Sequence, residues 1–483
     1  MLLLQLLLVC IAQCAHAKRN LVFMISDGFG STSEAMARSF MQELGPNTRE
    51  PWSSILDSML VGSVRTQSSN SLITDSAAGA TAFSCARKSY NGAIGVDAQG
   101  TPCGTILEAA KSAGYSTGLV TTSRITHATP ASFAAHVMDR GMEDLIAMHM
   151  LAKNATNGKS TVDLMFGGGL CRFLPQSDDA SCRNDDSDVW QAAKDSGVTA
   201  ITRRDEFDSI SQSTSSVLPI IGLFSSSHMA YSIDRDSAQP SLSEMTQTAL
   251  DLLDSDSEKG FFLMVEGARI DMAGHDNDPA AHVHDIIEYW RTVQKVHQFV
   301  HDNPDTLVIS TSDHETGGLA LGIDPEYIWY PRALKQVTKS AEQICAQLFR
   351  MQKQDVTDAI KDHVFPEYLG IDNHTQSELE LVVDAMQVES SDGKHKACKH
   401  AVGGVVSKRA HIGWSTGGHT GADVGLYAYG NQMHDIRGSM ENSHLGTLLA
   451  KYLGVDTSQV TSALANMSTR QLAFVRSPHI DHD

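Results

Sequence analysis

Basic residues are scarce in this chain. Lys and Arg together number 37 against 57 Asp and Glu, a formal charge of −20 at pH 7 with histidine neutral. So acidic a surface repels nucleic acid and anionic membranes, and neither is expected as a partner. It also repels anionic small molecules at long range, so any phosphate site here must supply its own local positive charge. Proline is sparse, at 13 of 483 residues, and charged residues make up 19% while hydrophobic ones reach 41%. These proportions exclude a disordered or collagen-like chain. They leave enough apolar material for a sizeable core, in about three ordinary domains or one large α/β domain with insertions. No internal repeat, low-complexity tract or Pro-rich linker divides the chain.

Long apolar runs are also missing. After the N-terminus no segment reaches the roughly 18 uninterrupted apolar residues that a transmembrane helix needs. Leu2 to Ala15 is mostly apolar but carries no Lys or Arg, and Ala15-His16-Ala17 has the small-x-small form of a cleavage site. The run is too short to span a bilayer, so residues 1–17 are expected to be a secretory signal peptide rather than a buried strand or helix. The C-terminus, Ser477-Pro478-His479-Ile480-Asp481-His482-Asp483, is polar, whereas a lipid-anchor signal would need an apolar tail. The expectation is an exported product, extracellular or periplasmic, with no membrane anchor.

Of the eight cysteines, Cys10 and Cys14 fall in the leader. The remaining six are Cys85, Cys103, Cys171, Cys182, Cys345 and Cys398, an even number that suggests disulfides in an exported chain. Cys171 with Cys182, which closes a short polar loop, is the favoured pair. Cys85 sits in an Ala-rich, helix-like stretch, where a buried free thiol is the alternative. Asn154-Ala155-Thr156, Asn373-His374-Thr375 and Asn466-Met467-Ser468 have the form of glycosylation acceptors.

Several short β-rich runs each end in polar or Gly-rich residues and are followed by a helical pattern. Leu21 to Ile25 runs into Ser26-Asp27-Gly28, and Tyr115 to Thr122 into Ser123-Arg124-Ile125-Thr126-His127. Phe261 to Val265 ends at Glu266-Gly267, and Thr306 to Ser310 at Thr311-Ser312-Asp313-His314. Helices are expected over Thr105 to Ala113 with Gly114 as stop, Leu242 to Leu253, His282 to Val300 and Ser443 to Tyr452. This alternation predicts an α/β fold, a three-layer sandwich with a central, mostly parallel sheet and helices on both faces. Residues 325–410 break the rhythm, with helical stretches around Ala341 to Met351 and Leu379 to Met386. They read as an inserted cap within a catalytic domain spanning 18–483.

In such sheets ligands bind beyond the carboxyl ends of the strands, where these polar residues fall. Asp271 and His275 stand at i, i+4, close enough to share one metal. Asp313-His314 directly follows a strand, Asp27 ends the first strand, and His419 lies in the loop Gly417-Gly418-His419-Thr420-Gly421. Mixed nitrogen and oxygen donors without Cys suit zinc in an open, catalytic site, while Glu266 and Thr129 are hard oxygen donors suited to magnesium. His282, His284, His395 and His400 read as ordinary surface or core residues. Ser76, in Thr74-Asp75-Ser76-Ala77-Ala78-Gly79-Ala80, has two readings: a helix cap, or a nucleophile at a helix N-terminus that attracts phosphate. No Gly-x-Ser-x-Gly elbow occurs, so a nucleophilic Ser76 would need a metal rather than a histidine to activate it.

These blocks, taken together, resemble the alkaline phosphatases. The matches are Ile25-Ser26-Asp27-Gly28, Thr74 to Ala78, His127-Ala128-Thr129-Pro130 with Ala135-His136 and Arg140, Val265 to Asp271 with His275, Thr311 to Glu315, and His419-Thr420-Gly421. Singly, only the Ser76 and Glu266-to-His275 blocks are specific, but all occur in order along nearly the whole chain. The resemblance implies two zinc ions and one magnesium: Asp271, His275 and His419 for the first zinc, Asp313, His314 and Asp27 for the second, and Asp27, Thr129 and Glu266 for magnesium. It implies Ser76 as nucleophile, Arg140 gripping two phosphate oxygens, Asp75 orienting Arg140, phosphate monoesters as substrates, and a homodimer. The rival readings are a phosphodiesterase, sulfatase or phosphomutase on the same metal core, and a non-catalytic binder. Arg140 disfavours the diesterase, no Cys-x-Pro-Ser-Arg signature occurs, and a binder does not need Ser76.

Two positions depart from the family pattern. His127 stands where bacterial members usually have Asp and animal members have His, which implies weaker magnesium binding. Met272 stands where many members have Lys or His contacting phosphate through water, and its thioether supplies no positive charge. Met272→His is therefore expected to tighten product inhibition by inorganic phosphate; an unchanged inhibition constant overturns that inference.

Overall fold

The computed structural model of the chain describes residues 18–45, 51–154, 156–211, 217–323, 325–388, 391–431 and 433–466. The expected leader, the polar C-terminus and part of the Asn154 and Asn466 acceptor patterns lie outside these residues. The strands are β1 (Asn20–Ile25), β2 (Leu60–Arg65), β3 (Ser116–Arg124), β4 (Leu164–Gly168), β5 (Thr199–Ile201), β6 (Ile220–Leu223), β7 (Phe261–Glu266), β8 (Thr306–Thr311), β9 (Glu315–Thr316), β10 (Leu319–Leu321), β11 (Ile412–Trp414), β12 (His419–Thr420), β13 (Val424–Gly430) and β14 (Gly438–Glu441). Ten of them form one sheet in the order β14-β2-β13-β8-β1-β7-β3-β4-β6-β5. Only β13 runs against its neighbours; every other pairing is parallel.

A parallel strand covered on both faces must be apolar on both, and β1 shows it. Val22 and Met24 join one core while Leu21, Phe23 and Ile25 join the other, all fully buried. The first core is roofed by helices Ser31–Leu44, Leu242–Asp256 and Pro279–Asp302, the second by Ser76–Cys85, Ile106–Ser112, Ala128–Ala134 and Asn442–Leu453. At roughly 1.5–3 kcal/mol for each large apolar side chain removed from water, these two layers supply the main drive for folding. The three-layer sandwich expected from the alternating pattern is the observed fold.

The helix ends follow from local chemistry. Thr105 and Glu108 form a capping box at the start of Ile106–Ser112, and Gly114, at φ +94°, ends that excursion as expected. Pro279 opens the 24-residue helix behind an Asp278 cap. Between β10 and β11 the regular structure is helical, with Arg332–Lys335, Ala341–Leu348, Val356–Ala359, Ile360–Tyr368, Gln376–Ala385 and the 20-residue Ser391–Ala410. This segment leaves at β10 and returns at β11, which pair antiparallel and close the excursion at its neck.

Three disulfides join Cys85–Cys103, Cys171–Cys182 and Cys345–Cys398. The favoured pair is present, and the free-thiol alternative for Cys85 is overturned. Its Ala-rich helix ends beside the Cys103 loop, so both sulfurs are brought together in one buried pocket. Cys345–Cys398 spans 53 residues and ties the helical excursion to itself, a closure worth about 4 kcal/mol on the chain-entropy model. Asn154 is buried, its amide giving a hydrogen bond to the Glu108 carbonyl and accepting one from Ser112, so the folded chain does not present it; Asn373 is exposed.

Glu108 also meets His136 Nε2 at 3.0 Å, both side chains buried. Burial opposes both charges, but the partners win: Glu108 is held below the usual carboxylate range and His136 above the usual imidazole range. A raised folded-state histidine stabilises below about pH 6.5, and that contribution is lost as pH rises through the higher folded value. Glu108→Gln is therefore expected to cost about 3 kcal/mol near pH 6 by stranding one partner of a buried pair. The gap from wild type should narrow as pH rises above 7 in urea unfolding curves.

Candidate active site

Four strands that end in polar residues, β8, β1, β7 and β3, are consecutive in the sheet. Their carboxyl ends therefore deliver Asp313 and His314, Asp27, Glu266, and the His127–Thr129 turn to one rim. Gly28 makes the approach close: its φ is +75°, and a Cβ there would lie 2.6 Å from the Asp271 Cα. Only glycine lets the β1 turn pass against the helix Arg269–His275 that carries Asp271 and His275.

Ser76 is the first residue of its helix, not the cap. Asp75 caps, its Oδ1 accepting from the Ala78 N–H at 2.9 Å. That leaves the Ser76 hydroxyl free of capping, 3.3 Å from His314 Nε2. The small residues behind it have a use: a Cβ on Gly79 would stand 3.1 Å from the Asp313 Cβ, so a larger residue would push Asp313 off the rim.

The donors gather in three overlapping groups: Asp271, His275 and His419; Asp27, Asp271 and His314; Asp27, His127 and Glu266. Asp313 adjoins the second, its Oδ2 lying 3.2 Å from His314 Nε2. His275 and His419 face each other Nε2 to Nε2 at 3.0 Å, with Asp271 oxygens at 3.4 and 3.6 Å. Their other nitrogens meet carbonyls, His275 Nδ1 at Gly417 and His419 Nδ1 at Thr74, each at 2.8 Å. This fixes the Nε2 lone pairs inward. Thr316 bridges two groups, donating to Asp271 Oδ1 at 2.6 Å and lying 3.2 Å from His314 Nδ1.

These residues fit divalent cations. Both oxygens of Asp27, Asp313 Oδ2, Glu266 Oε1 and Thr129 Oγ1 are buried without a hydrogen-bond partner in the protein. Such atoms are costly unless something binds them. Burial, then the charges of Asp313, Asp271 and Glu266, push the Asp27 carboxyl well up; burial, then the charges of Asp271 and Glu266, raise Asp313, and burial raises Glu266 against the hydrogen bonds it accepts. Burial and neighbouring positive groups hold His314 and His127 well below the usual imidazole range, which keeps them neutral with a lone pair to offer.

Arg140 is the cation on the rim. It reaches Asp75 Oδ2 and His127 Nε2, each at 3.1 Å, and stays about a third exposed. Asp75 Oδ2 also accepts from Gly92 N, and Asn91 Oδ1 accepts from Asp75 N. Met272 does not supply a charge: its sulfur meets Arg269, which is buried against Tyr231 and paired with Glu342, away from the rim. Every expected site residue except Met272 thus stands at this rim or against it. Sequence reasoning missed Thr316, Thr121, Ser123 and Asn91. Only Asn91 left a signal, in the Asn-Gly turn with Gly92; the hydroxyls look like ordinary strand residues.

The site is a cluster of buried donors fit for divalent cations, with Arg140 beside it, at the rim of an α/β sandwich. The family model for alkaline phosphatase matches residues 18–455. An alkaline phosphatase of Schizosaccharomyces pombe is 46% identical over 456 residues, covering 92% of this chain and 82% of that one. The repressible alkaline phosphatase of Saccharomyces cerevisiae is 41% identical, covering 93% and 84%. The crystal structure of a cold-active alkaline phosphatase from a psychrophilic Shewanella superposes with a TM-score of 0.76 at 33% identity, covering 90% of this chain and 99% of that one. The chain belongs to the alkaline phosphatase family of phosphoric monoester hydrolases.

The crowded carboxylates predict a separation of effects. In chelated protein, Asp27→Asn should raise stability by about 1 kcal/mol or more, because it removes a buried charge held among like charges. It should also abolish most of the rise in unfolding midpoint that zinc and magnesium give the wild type. A destabilised chelated variant would overturn this account of the site.

Proposed function

We propose that this protein is an exported alkaline phosphatase that cleaves phosphate monoesters through a phosphoserine at Ser76. The observation that carries the reading is the free Ser76 hydroxyl beside His314, within the rim of buried, unpartnered oxygens. Asp271, His275 and His419 would hold one zinc, Asp27, Asp313 and His314 a second, and Asp27, Thr129 and Glu266 a magnesium, with His127 beside it. Bound there, the cations supply Lewis acidity, lowering the pKa of hydroxyl and water and neutralising oxygen charge. Phosphate monoesters hydrolyse so slowly unaided that such stabilisation is required.

The residues divide the work. Arg140, held by Asp75, grips two non-bridging oxygens of the ester with its planar fork, which favours a doubly ionised monoester over a diester. Ser76 Oγ gives its proton to solvent and attacks phosphorus in line; the P–Oγ bond forms as the P–O bond to the leaving group breaks, and the alkoxide takes a proton from solvent and leaves as the alcohol. Water then attacks phosphorus from the vacated side, the P–Oγ bond breaks, and Ser76 recovers its proton as phosphate departs. None of these residues addresses the alcohol, so broad specificity follows.

The helical segment within 325–410 is read as a cap on a catalytic domain over 18–483, and the chain is taken to act as a homodimer, as the family resemblance implies. Three disulfides support an oxidising compartment, and among the described residues no helix is long and apolar enough to cross a membrane. Ser76→Ala is expected to lower p-nitrophenyl phosphate turnover by about 10³-fold or more. Turnover of bis-p-nitrophenyl phosphate should be far below that of the monoester in wild type. Wild-type rates from Ser76→Ala exclude the phosphoserine, and preference for the bis-ester excludes the monoesterase.

A further inference from the structure

The end of β3 contains an irregularity beside Glu266. Against β7 the strand pairs residue by residue until Thr121 stands opposite Glu266. Against β4 the pairing shifts between Val120–Phe166 and Arg124–Gly168, so that three residues, Thr121 to Ser123, face Gly167 alone. There the Ser123 N–H donates to Thr121 Oγ1 at 2.9 Å instead of to the neighbouring strand. A hydroxyl that accepts in this way still has one proton to give, and Thr121 gives it to Glu266 Oε2. Ser123 Oγ lies 3.3 Å from the same oxygen. The other oxygen, Oε1, is buried and has no partner.

The bulge also makes room for this contact. A Cβ on Gly167 would lie 2.9 Å from the Thr121 methyl group, so glycine opposite the bulge is what lets Thr121 sit against Glu266. Thr122, the next residue, accepts from the Ala268 N–H at 3.0 Å and pins the chain two residues past Glu266. Thr121 and Ser123 are fully buried, so water does not substitute for either hydroxyl. The last torsion of a glutamate side chain is broad, and nothing intrinsic distinguishes its two oxygens.

We infer that Thr121 is a positioning residue for the magnesium site: by occupying Oε2 it presents Oε1 of Glu266 to the ion. The inference rests on the reading of Asp27, Thr129 and Glu266 as a cation site. It adds a residue that touches neither ion nor substrate, and a glycine, Gly167, that acts one step further out.

The test uses zinc-loaded enzyme titrated with magnesium chloride, followed by isothermal titration calorimetry and by the thermal unfolding midpoint. Thr121→Val keeps the shape and removes the hydroxyl; it should bind magnesium about tenfold more weakly, the low end for loss of a group that orients a metal ligand. Zinc content and the inhibition constant for inorganic phosphate should not change. Thr121→Ser, which keeps the hydroxyl, should stay within about twofold of wild type, and Gly167→Ala should weaken magnesium by displacing Thr121. Wild-type magnesium affinity in Thr121→Val, or equal weakening in Thr121→Ser, overturns the inference. If Thr121→Val does not accumulate as folded protein, wild-type affinity in Gly167→Ala overturns it. A wild-type enzyme that shows no magnesium response removes the cation-site reading and this inference with it, a result distinct from any effect confined to the variants.

Discussion

The structure depends on mutual repulsion among carboxylates that the fold refuses to separate. Asp27, Asp271, Glu266 and Asp313 are buried at neighbouring strand and helix ends; Asp313, Asp271 and Glu266 raise the proton affinity of Asp27, and Asp271 and Glu266 that of Asp313. In a dry interior such charges are among the most costly arrangements a chain can make. Arg140, the cation that offsets Asp27, is partly exposed and already shared with Asp75. The neutral imidazoles of His314 and His127 add donors without adding counter-charge. What holds the cluster is therefore the two apolar layers clamped on β8, β1, β7 and β3, whose registry leaves the carboxylates nowhere else to go. Divalent ions held there, as proposed, would turn that liability into binding energy and give a protein of strongly negative charge local positive charge for an anion.

Small residues make the convergence possible. Gly28 lets the first turn pass against Asp271, and the Ala–Gly helix behind Ser76 lets its backbone approach Asp313. Asymmetry in hydrogen bonding then sets direction: His275 and His419 spend one nitrogen each on a carbonyl and turn the other inward. Rigidity at the rim is thus built from backbone contacts as much as from side-chain packing.

Much of this was legible in the sequence. Strand runs that stop at Asp27, Glu266 and Asp313-His314 showed both the parallel sheet and its functional edge, because buried strands are apolar throughout and polarity begins where they end. The i, i+4 spacing of Asp271 and His275 placed two of the clustered donors on one helix face. The short strands β4, β5 and β6 carry too few residues to stand out, and the helix Ser391–Ala410 is too polar to show a clear apolar stripe. Ser76 was ambiguous because a serine beside an aspartate leaves the capping position open by one residue, and only the backbone angles of Asp75 decide it. Thr316 and Thr121 were invisible for another reason. A threonine in a strand is favoured for its branched shape alone, so its hydroxyl announces nothing until a partner from a distant segment meets it.

Asp75 carries two duties at once. One of its oxygens closes the first turn of the helix that starts at Ser76, and the other holds the guanidinium of Arg140. The integrity of that turn and the placement of Arg140 therefore answer to a single side chain. Fraying at that turn loosens the guanidinium in the same motion, and a guanidinium drawn firmly onto an anion tightens the turn. The chain has no means of adjusting one without disturbing the other.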